Sequence, residues 1–122
     1  RYGELDEVKR LVDEGVDVES MDWYGWTPLM NAAGNDNVDT ARLLLDRGAN
    51  VNMKSNGGVT ALHDAASHGH DEIVRLFIER GANMHMKANN GRTPLDDAKE
   101  HNYSLTIAII EAAMQSIKGK NE

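Results

Sequence analysis

The sequence predicts an all-α solenoid of about three and a half helix–turn–helix units joined by short β-turn fingers. Three ladders at one period predict it. Gly15, Gly48 and Gly81 are 33 residues apart, as are Gly25, Gly58 and Gly91, and as are Thr27, Thr60 and Thr93. Longer strings keep the same register: Leu43–Asn50 aligns with Leu76–Asn83, and Gly25–Leu29 aligns with Gly58–Leu62 and Gly91–Leu95. A fixed period of this length is the signature of a stacked-repeat architecture, in which each unit buries its apolar face only against its neighbours.

Each unit is justified by local chemistry, in order. A turn carries Gly25, Gly58 or Gly91, where a positive φ is cheap only without a Cβ. Thr27, Thr60 or Thr93 follows as a helix N-cap, and Pro28 and Pro94 take the first helical position, where a missing N–H costs nothing. Asp96, three residues after Thr93, resembles the back-bonding member of a capping box. The first helix holds Ala32–Ala33 or Ala65–Ala66, small enough for close packing, and ends near Asp36 or Gly69. A second helix over 37–46 and 70–79 shows apolar residues at helical spacing, as in Val38, Ala41, Leu44 and Leu45. Gly48 and Gly81 then supply left-handed C-caps.

These strings resemble the ankyrin repeat, with its Gly-x-Thr-Pro-Leu-His-x-Ala-Ala opening, its Gly-His before an aliphatic helix, and its closing Gly-Ala-Asp-Val-Asn. Gly58–Ala66 and Gly69–Val74 follow the pattern most closely. Met30 and Asp96 replace its histidine, Asp36 its mid-unit glycine, and Lys99 its second alanine. The resemblance covers essentially the whole chain. It gives one domain over 1–122: a partial first repeat at 1–21, full repeats at 22–54 and 55–87, a C-terminal capping repeat at 88–118, and a tail at 119–122. Arg1–Val8 match the end of a first helix and the start of a second, so the opening helix of the first unit is expected to be missing from this chain. Leu5, Val8, Leu11 and Val12 should stack on the second unit. At the far end Thr106 and Glu111 stand where Ile73 and Ile78 stand one unit earlier. A polar outer face is expected there, followed by a frayed Lys118–Glu122.

The resemblance implies a protein-binding module working through its finger tips and the concave face of its first helices. The variable contact positions then fall on Trp23, Tyr24, Trp26, Gly34 and Asn35 in unit two. In unit three they are Asn56, Gly57, Val59, Ser67 and His68, and in unit four Asn89, Asn90, Arg92, Glu100 and His101. Arg1 and Tyr2 fill the helix-end positions of unit one. Trp23-Tyr24-Gly25-Trp26 stands out, because both tryptophans of the chain and one of its three tyrosines fall within four positions on a turn. Exposed aromatics of this kind are enriched at binding hot spots. Burying one indole of ~200 Å² at ~25 cal/mol/Å² is worth roughly 5 kcal/mol before ordering costs; the alternative for Trp26 is packing along its own first helix or its neighbour's turn. Lys54, Lys87 and Arg92 would give the tips a positive edge selecting an acidic segment, and Arg47 and Arg80 form a second basic pair at the repeat spacing. In the opposite sense, Asp22, Trp23, Trp26 and Asp64 are similar to the residues with which Tonsoku-like ankyrin domains hold an unmodified histone tail, although Asn31 stands where that group has a glutamate. The alternative to direct binding is a scaffold role within a longer array. Asn52 resembles an ankyrin asparagine that is hydroxylated, and His85 takes its place one unit later.

Composition narrows the classes further. The net charge is −7, with eight acids against three bases in residues 1–22 and a balance of five each in 87–122. An acidic chain is poorly suited to phosphate-driven nucleic-acid binding. No apolar run approaches the ~20 residues of a membrane span. With no cysteine, disulfides and thiolate metal sites are excluded, which fits an intracellular protein. His63, His68, His70, His85 and His101 lack the ligand pattern of zinc; His63 and His70 instead match family positions that tie backbone and turns together. There is no nucleophile–base motif and no phosphate loop. The expectation is therefore a non-enzymatic protein without metal or cofactor, monomeric as an isolated domain, with another protein as its partner.

Overall fold

A computed structural model describes residues 9, 10, 13–15 and 17–121, with side chains as far as Ser116. The expected placements of Arg1, Tyr2, Leu5, Val8, Leu11 and Val12 lie outside the described residues. Among the residues described from Pro28 onward there are six helices: α1 Pro28–Gly34, α2 Val38–Asp46, α3 Ala61–Ser67, α4 Asp71–Glu79, α5 Pro94–Glu100 and α6 Ser104–Asn121. They pair as α1/α2, α3/α4 and α5/α6, and stack in two layers. The short helices α1, α3 and α5 adjoin one another in one layer; α2, α4 and α6 form the other. Among the described residues there is no strand.

The threonine caps act as their positions require. Thr27, Thr60 and Thr93 have extended backbones, and each hydroxyl accepts the N–H three residues on. In α3 the box closes through His63, whose Nδ1 accepts the Thr60 N–H at 3.1 Å. In α5 Asp96 does the same for Thr93 at 2.9 Å. That backbone hydrogen bond, donated by Thr93, holds the Asp96 carboxyl below its ordinary pKa. Met30 cannot close the box on Thr27, and it is buried in the core instead.

The core runs the length of the stack. Leu29, Leu44, Leu62, Ile73, Val74, Phe77 and Ile110 are almost wholly buried, with Ala33, Ala41, Ala65, Ala66 and Ala98 between them. Alanine lets the helices of successive units approach closely, and the aliphatic residues fill the space between the layers.

The fingers are sewn together by asparagine. Asn56 donates its backbone N–H to the Tyr24 carbonyl at 2.9 Å and its side-chain amide to the Trp23 carbonyl at 3.0 Å. Asn89 repeats this on Gly57 and Asn56, at 2.9 and 3.0 Å. On the opposite rim, ion pairs join units: Arg80 with Asp46 at 2.7 Å, and Arg47 with Asp13. The basic Arg47/Arg80 pair is thus an internal seam.

The last unit departs from expectation in two ways. Met114 stands at the period where Gly48 and Gly81 turn the chain, with φ of 96° and 90°. Without that glycine α6 continues to Asn121, where fraying from Lys118 onward was expected. Thr106 is 1% exposed and does not form an outer face. It faces back onto α4, where its hydroxyl donates to the Asp71 carboxylate. Glu111 is exposed, as expected for a terminal unit, but so is Leu105 at 54%.

Candidate functional site

The first finger is built by Asp22. One carboxylate oxygen accepts the N–H groups of Tyr24 at 2.9 Å and Trp26 at 3.0 Å. The Gly25 N–H closes the turn on the Asp22 carbonyl at 3.0 Å. Asp22 is therefore a turn residue, with this oxygen committed to the backbone it shapes. The rigid turn projects Trp23, 95% exposed, and Tyr24, 71% exposed, with Met21 also exposed before them. Trp26 goes the other way. It is half-buried against the core. The three rings do not make the aromatic cluster their spacing suggested; among the described residues the stacked pairs are His68–His70 and His101–Tyr103. The turn glycine is the reason, since Gly25 sends the chain and the next side chain down onto the helices.

Trp26 forms one wall of a concavity of about 230 Å³ beside the first helices of units three and four. Val59, Ala88 and Asn90 from the following fingers complete its rim; His63, Asp64, Ser67 and Asp97 come from α3 and α5. Asp64 sits where Gly34 leaves room: a Cβ on Gly34 would lie 2.5 Å from its carboxylate. The Asp64 side chain is only 14% exposed, and the His68 Nδ1 is 3.7 Å away. Burial pushes its carboxyl pKa up, against smaller opposing effects of His68 and His70. His63 spans units, its Nε2 donating to the Arg92 carbonyl at 2.9 Å while Nδ1 accepts from Thr60. These contacts occupy both of its nitrogens structurally.

Arg92 does not serve as a free selector. Its guanidinium pairs with Asp97 at 3.0 Å and Glu100 at 2.6 Å and donates to the Asp96 carbonyl at 2.8 Å. The Asp97 hydrogen bond leads the effects that raise its pKa, so the charge is fixed and locally neutralised. Of the expected positive edge, Lys54 and Lys87 are exposed, and among the described residues no ion pair involves either. Glu100 is committed to Arg92. Asn56 and Asn89 spend their amides on the preceding finger. Asn35 is exposed and donates to the Asn31 carbonyl at 2.9 Å. His68 is exposed, stacks on His70 and donates to the Asp64 carbonyl; His101 is exposed and stacks on Tyr103. Asn52 accepts the Asn83 N–H at 2.7 Å, and its amide reaches the Gly81 carbonyl at 3.3 Å.

The repeat geometry agrees with comparison to known proteins. The family model for ankyrin repeats in three copies matches residues 1–55, and that for ankyrin repeats in many copies matches 44–98. The chain belongs to the ankyrin-repeat family. Among curated ankyrin proteins, "Ankyrin repeat, SAM and basic leucine zipper domain-containing protein 1" of Mustela putorius furo, Loxodonta africana and Equus caballus is 51% identical over 37 residues in each case. That segment is 30% of this chain and 8% of the relatives' length, so the chain spans a small part of them. Ankyrin repeats are in general protein–protein interaction modules and a non-enzymatic family. Among the described residues no group of three histidine, aspartate or glutamate side chains could hold a metal, and no helix is long and apolar enough to cross a membrane.

The shallow acid-lined concavity was not anticipated from the sequence. A signal for it existed: Asp64 and Asp97 are 33 apart on the first helices, which places two carboxylates in register on one face. Asp64 also sets a pH-dependent test of its surroundings, which hold His68, His70 and Asp97. Its folded pKa lies above the free value of 3.8. Ionisation therefore costs stability as pH rises through the folded pKa, and the cost is relieved on acidification. Asp64→Asn should be more stable than the wild type at neutral pH, with the advantage shrinking toward pH 4. Melting curves of both proteins at pH 7 and pH 4 read this out; a variant less stable at pH 7 would contradict it.

Proposed function

We propose that this ankyrin stack binds a segment of another protein along the fingers and first helices, with Trp23 and Tyr24 as the projecting anchors. One observation carries the reading: an indole with 95% of its surface in water is held on a turn whose backbone is fixed by Asp22 and by the next finger. An apolar side chain on a backbone already fixed requires no further ordering of the turn when it is covered, which suits a hot-spot residue. Trp26 contributes the wall of the adjoining concavity, and Lys54 and Lys87 remain free to bias the charge of the partner. Asn35, His68 and His101 lie at the exposed helix ends beside this path.

The expected result of Trp23→Ala is a roughly tenfold or greater loss of affinity for partners recovered by the wild-type domain, with an unchanged melting temperature. Pull-down from cell extract with both proteins, identification by mass spectrometry and titration of the recovered partner provide the measurement. Equal affinity in a folded variant would remove the anchor role.

A further inference from the structure

Each finger offers the next one a seat. Over Gly25, Asn56 gives its main-chain N–H to the Tyr24 carbonyl at 2.9 Å and its carboxamide to the Trp23 carbonyl at 3.0 Å. It lies so close above the glycine that a Cβ on Gly25 would meet the Asn56 Oδ1 at 2.8 Å and its main-chain nitrogen at 2.9 Å. Asn89 sits over Gly58 in the same way, at 2.7 and 2.9 Å. The seat is thus a pair of successive carbonyls followed by a glycine that leaves room. Asparagine fills it because its main chain and its short side chain both donate toward the same neighbour.

The third finger has the same shape. Gly91 holds a φ of 83°, beside 75° and 76° at Gly25 and Gly58. The Ala88 N–H reaches the Arg92 carbonyl at 2.9 Å and the Gly91 N–H reaches the Ala88 carbonyl at 2.8 Å, matching the Ser55–Val59 and Gly58–Ser55 bonds of the second finger. The Asn90 Oδ1 also accepts the Arg92 N–H at 3.0 Å, so the turn is fixed in advance. Its carbonyls, those of Asn89 and Asn90, accept no hydrogen bond from the described residues. Asn89, Asn90 and Gly91 are exposed, and the space over Gly91 is open. At Asn121, one period of 33 after Ala88, α6 is still helical and supplies no further finger. Backbone acceptors displayed on a rigid turn are a template for donors from another chain.

We propose that the end of the finger row at Asn89–Gly91 is a docking seat for an asparagine-bearing turn of another protein. The main-chain N–H of that asparagine meets the Asn90 carbonyl, and its carboxamide meets the Asn89 carbonyl. Continuity with the two internal interfaces commits the occupant, since the same carbonyl pair takes asparagine each time. An ionised aspartate has the shape but no proton to give. A second copy of this chain would bring its first finger, where Trp23 stands in the place of Asn56 and Asn89 and has no carboxamide to offer. The seat lies at the opposite end of the finger row from Trp23, so it goes beyond the anchor reading and stands without it.

The probe is a finger made as a peptide. The 122-residue chain, labelled with ¹⁵N, is titrated with the cyclised sequence of residues 54–60, Lys-Ser-Asn-Gly-Gly-Val-Thr, and with its Asn56→Asp version. The amide nitrogens of Asn90 and Gly91 are followed by NMR, because each is bonded to one of the carbonyls that would accept. Both should shift in a saturable manner. Gly25 and Gly58 should stay still, since the carbonyls before them are already engaged. The aspartate peptide should act about fivefold more weakly or worse. Gly91→Ala fills the seat with a methyl group and should abolish the response; the peptide comparison stands even if that variant unfolds. No saturable shift, equal shifts from the two peptides, or an undiminished shift in folded Gly91→Ala overturns the proposal. The same shifts on concentrating the domain alone would make the occupant a second copy and overturn it too.

Discussion

Gly58→Ala is expected to destabilise the domain by about 3 kcal/mol, whereas Gly91→Ala at the same place in the next unit should cost only about 1 kcal/mol. Both glycines sit in the left-handed region, at φ 76° and 83°. That backbone penalises any residue with a Cβ, and the penalty is common to both. The surroundings differ. A Cβ on Gly58 would fall 2.7 Å from the Asn89 Oδ1, 2.9 Å from the Asn89 backbone nitrogen and 3.2 Å from the Ala88 Cα. Two of these three are backbone atoms of the next finger and cannot swing aside. Relief would require separating the fingers, with loss of the two hydrogen bonds that Asn89 makes to Gly57 and Asn56. A Cβ on Gly91 meets nothing within 4 Å, because among the described residues no finger follows it. Urea unfolding of the two variants measures the gap directly. Equal destabilisation would mean that finger stacking contributes nothing beyond backbone conformation.

The second large effect is expected at Thr106. Thr106→Val keeps the shape and removes the hydroxyl that donates to Asp71, at a position 1% exposed. A hydrogen bond to a carboxylate is worth more than a neutral one, and the loss should be about 2 kcal/mol. Asp71 is half-buried and opens α4, so water can recover part of its solvation but not the link between α4 and α6. Thr106→Ser keeps the hydroxyl and removes one methyl, with an expected cost of about 1 kcal/mol. The comparison separates hydrogen bonding from packing. A valine variant as stable as wild type would show that the apolar residue occupying this place one unit earlier, Ile73, is the better solution here too.

Thr106 also marks where sequence reasoning failed. The period put it in register with Ile73, and its polarity suggested the outer surface of a terminal unit. Register determines which way a residue faces, and this register faces the preceding helix pair. A polar residue there must find a partner inside, and Asp71 provides it. Arg92 was misread for a related reason: its 33-residue relation to other fingers says nothing about acids on its own following helix, and Asp97 lies five residues on. Asn56 and Asn89 were read as contact positions, although an identical residue at one place in two successive units is better explained by a repeated structural bond than by recognition of different parts of a partner. What was legible came from groups whose chemistry is local: the turn glycines, the threonine caps, the alanine pairs and the aliphatic spacing of the second helices. The exposure of Trp23 and Tyr24 was legible as well, since a turn offers no neighbour large enough to cover them. Packing of Trp26 stood as an alternative in the sequence, but the concavity it walls together with Val59, Asp64 and Ala88 depends on three units at once, and pairwise spacing could not reveal it.

The asparagine stitches of the fingers have a consequence for synthesis. In both, the later unit gives the protons and the earlier one holds only carbonyls: Asn56 reaches back to Trp23 and Tyr24, and Asn89 reaches back to Asn56 and Gly57. The arginine seams run the same way, Arg80 toward Asp46 and Arg47 toward Asp13. A nascent chain leaving the ribosome therefore carries these acceptors in advance of the donors that will close on them. The bonds from His63 to the Arg92 carbonyl and from Asn52 to the Gly81 carbonyl run the other way, so each unit both receives and offers protons across its two interfaces.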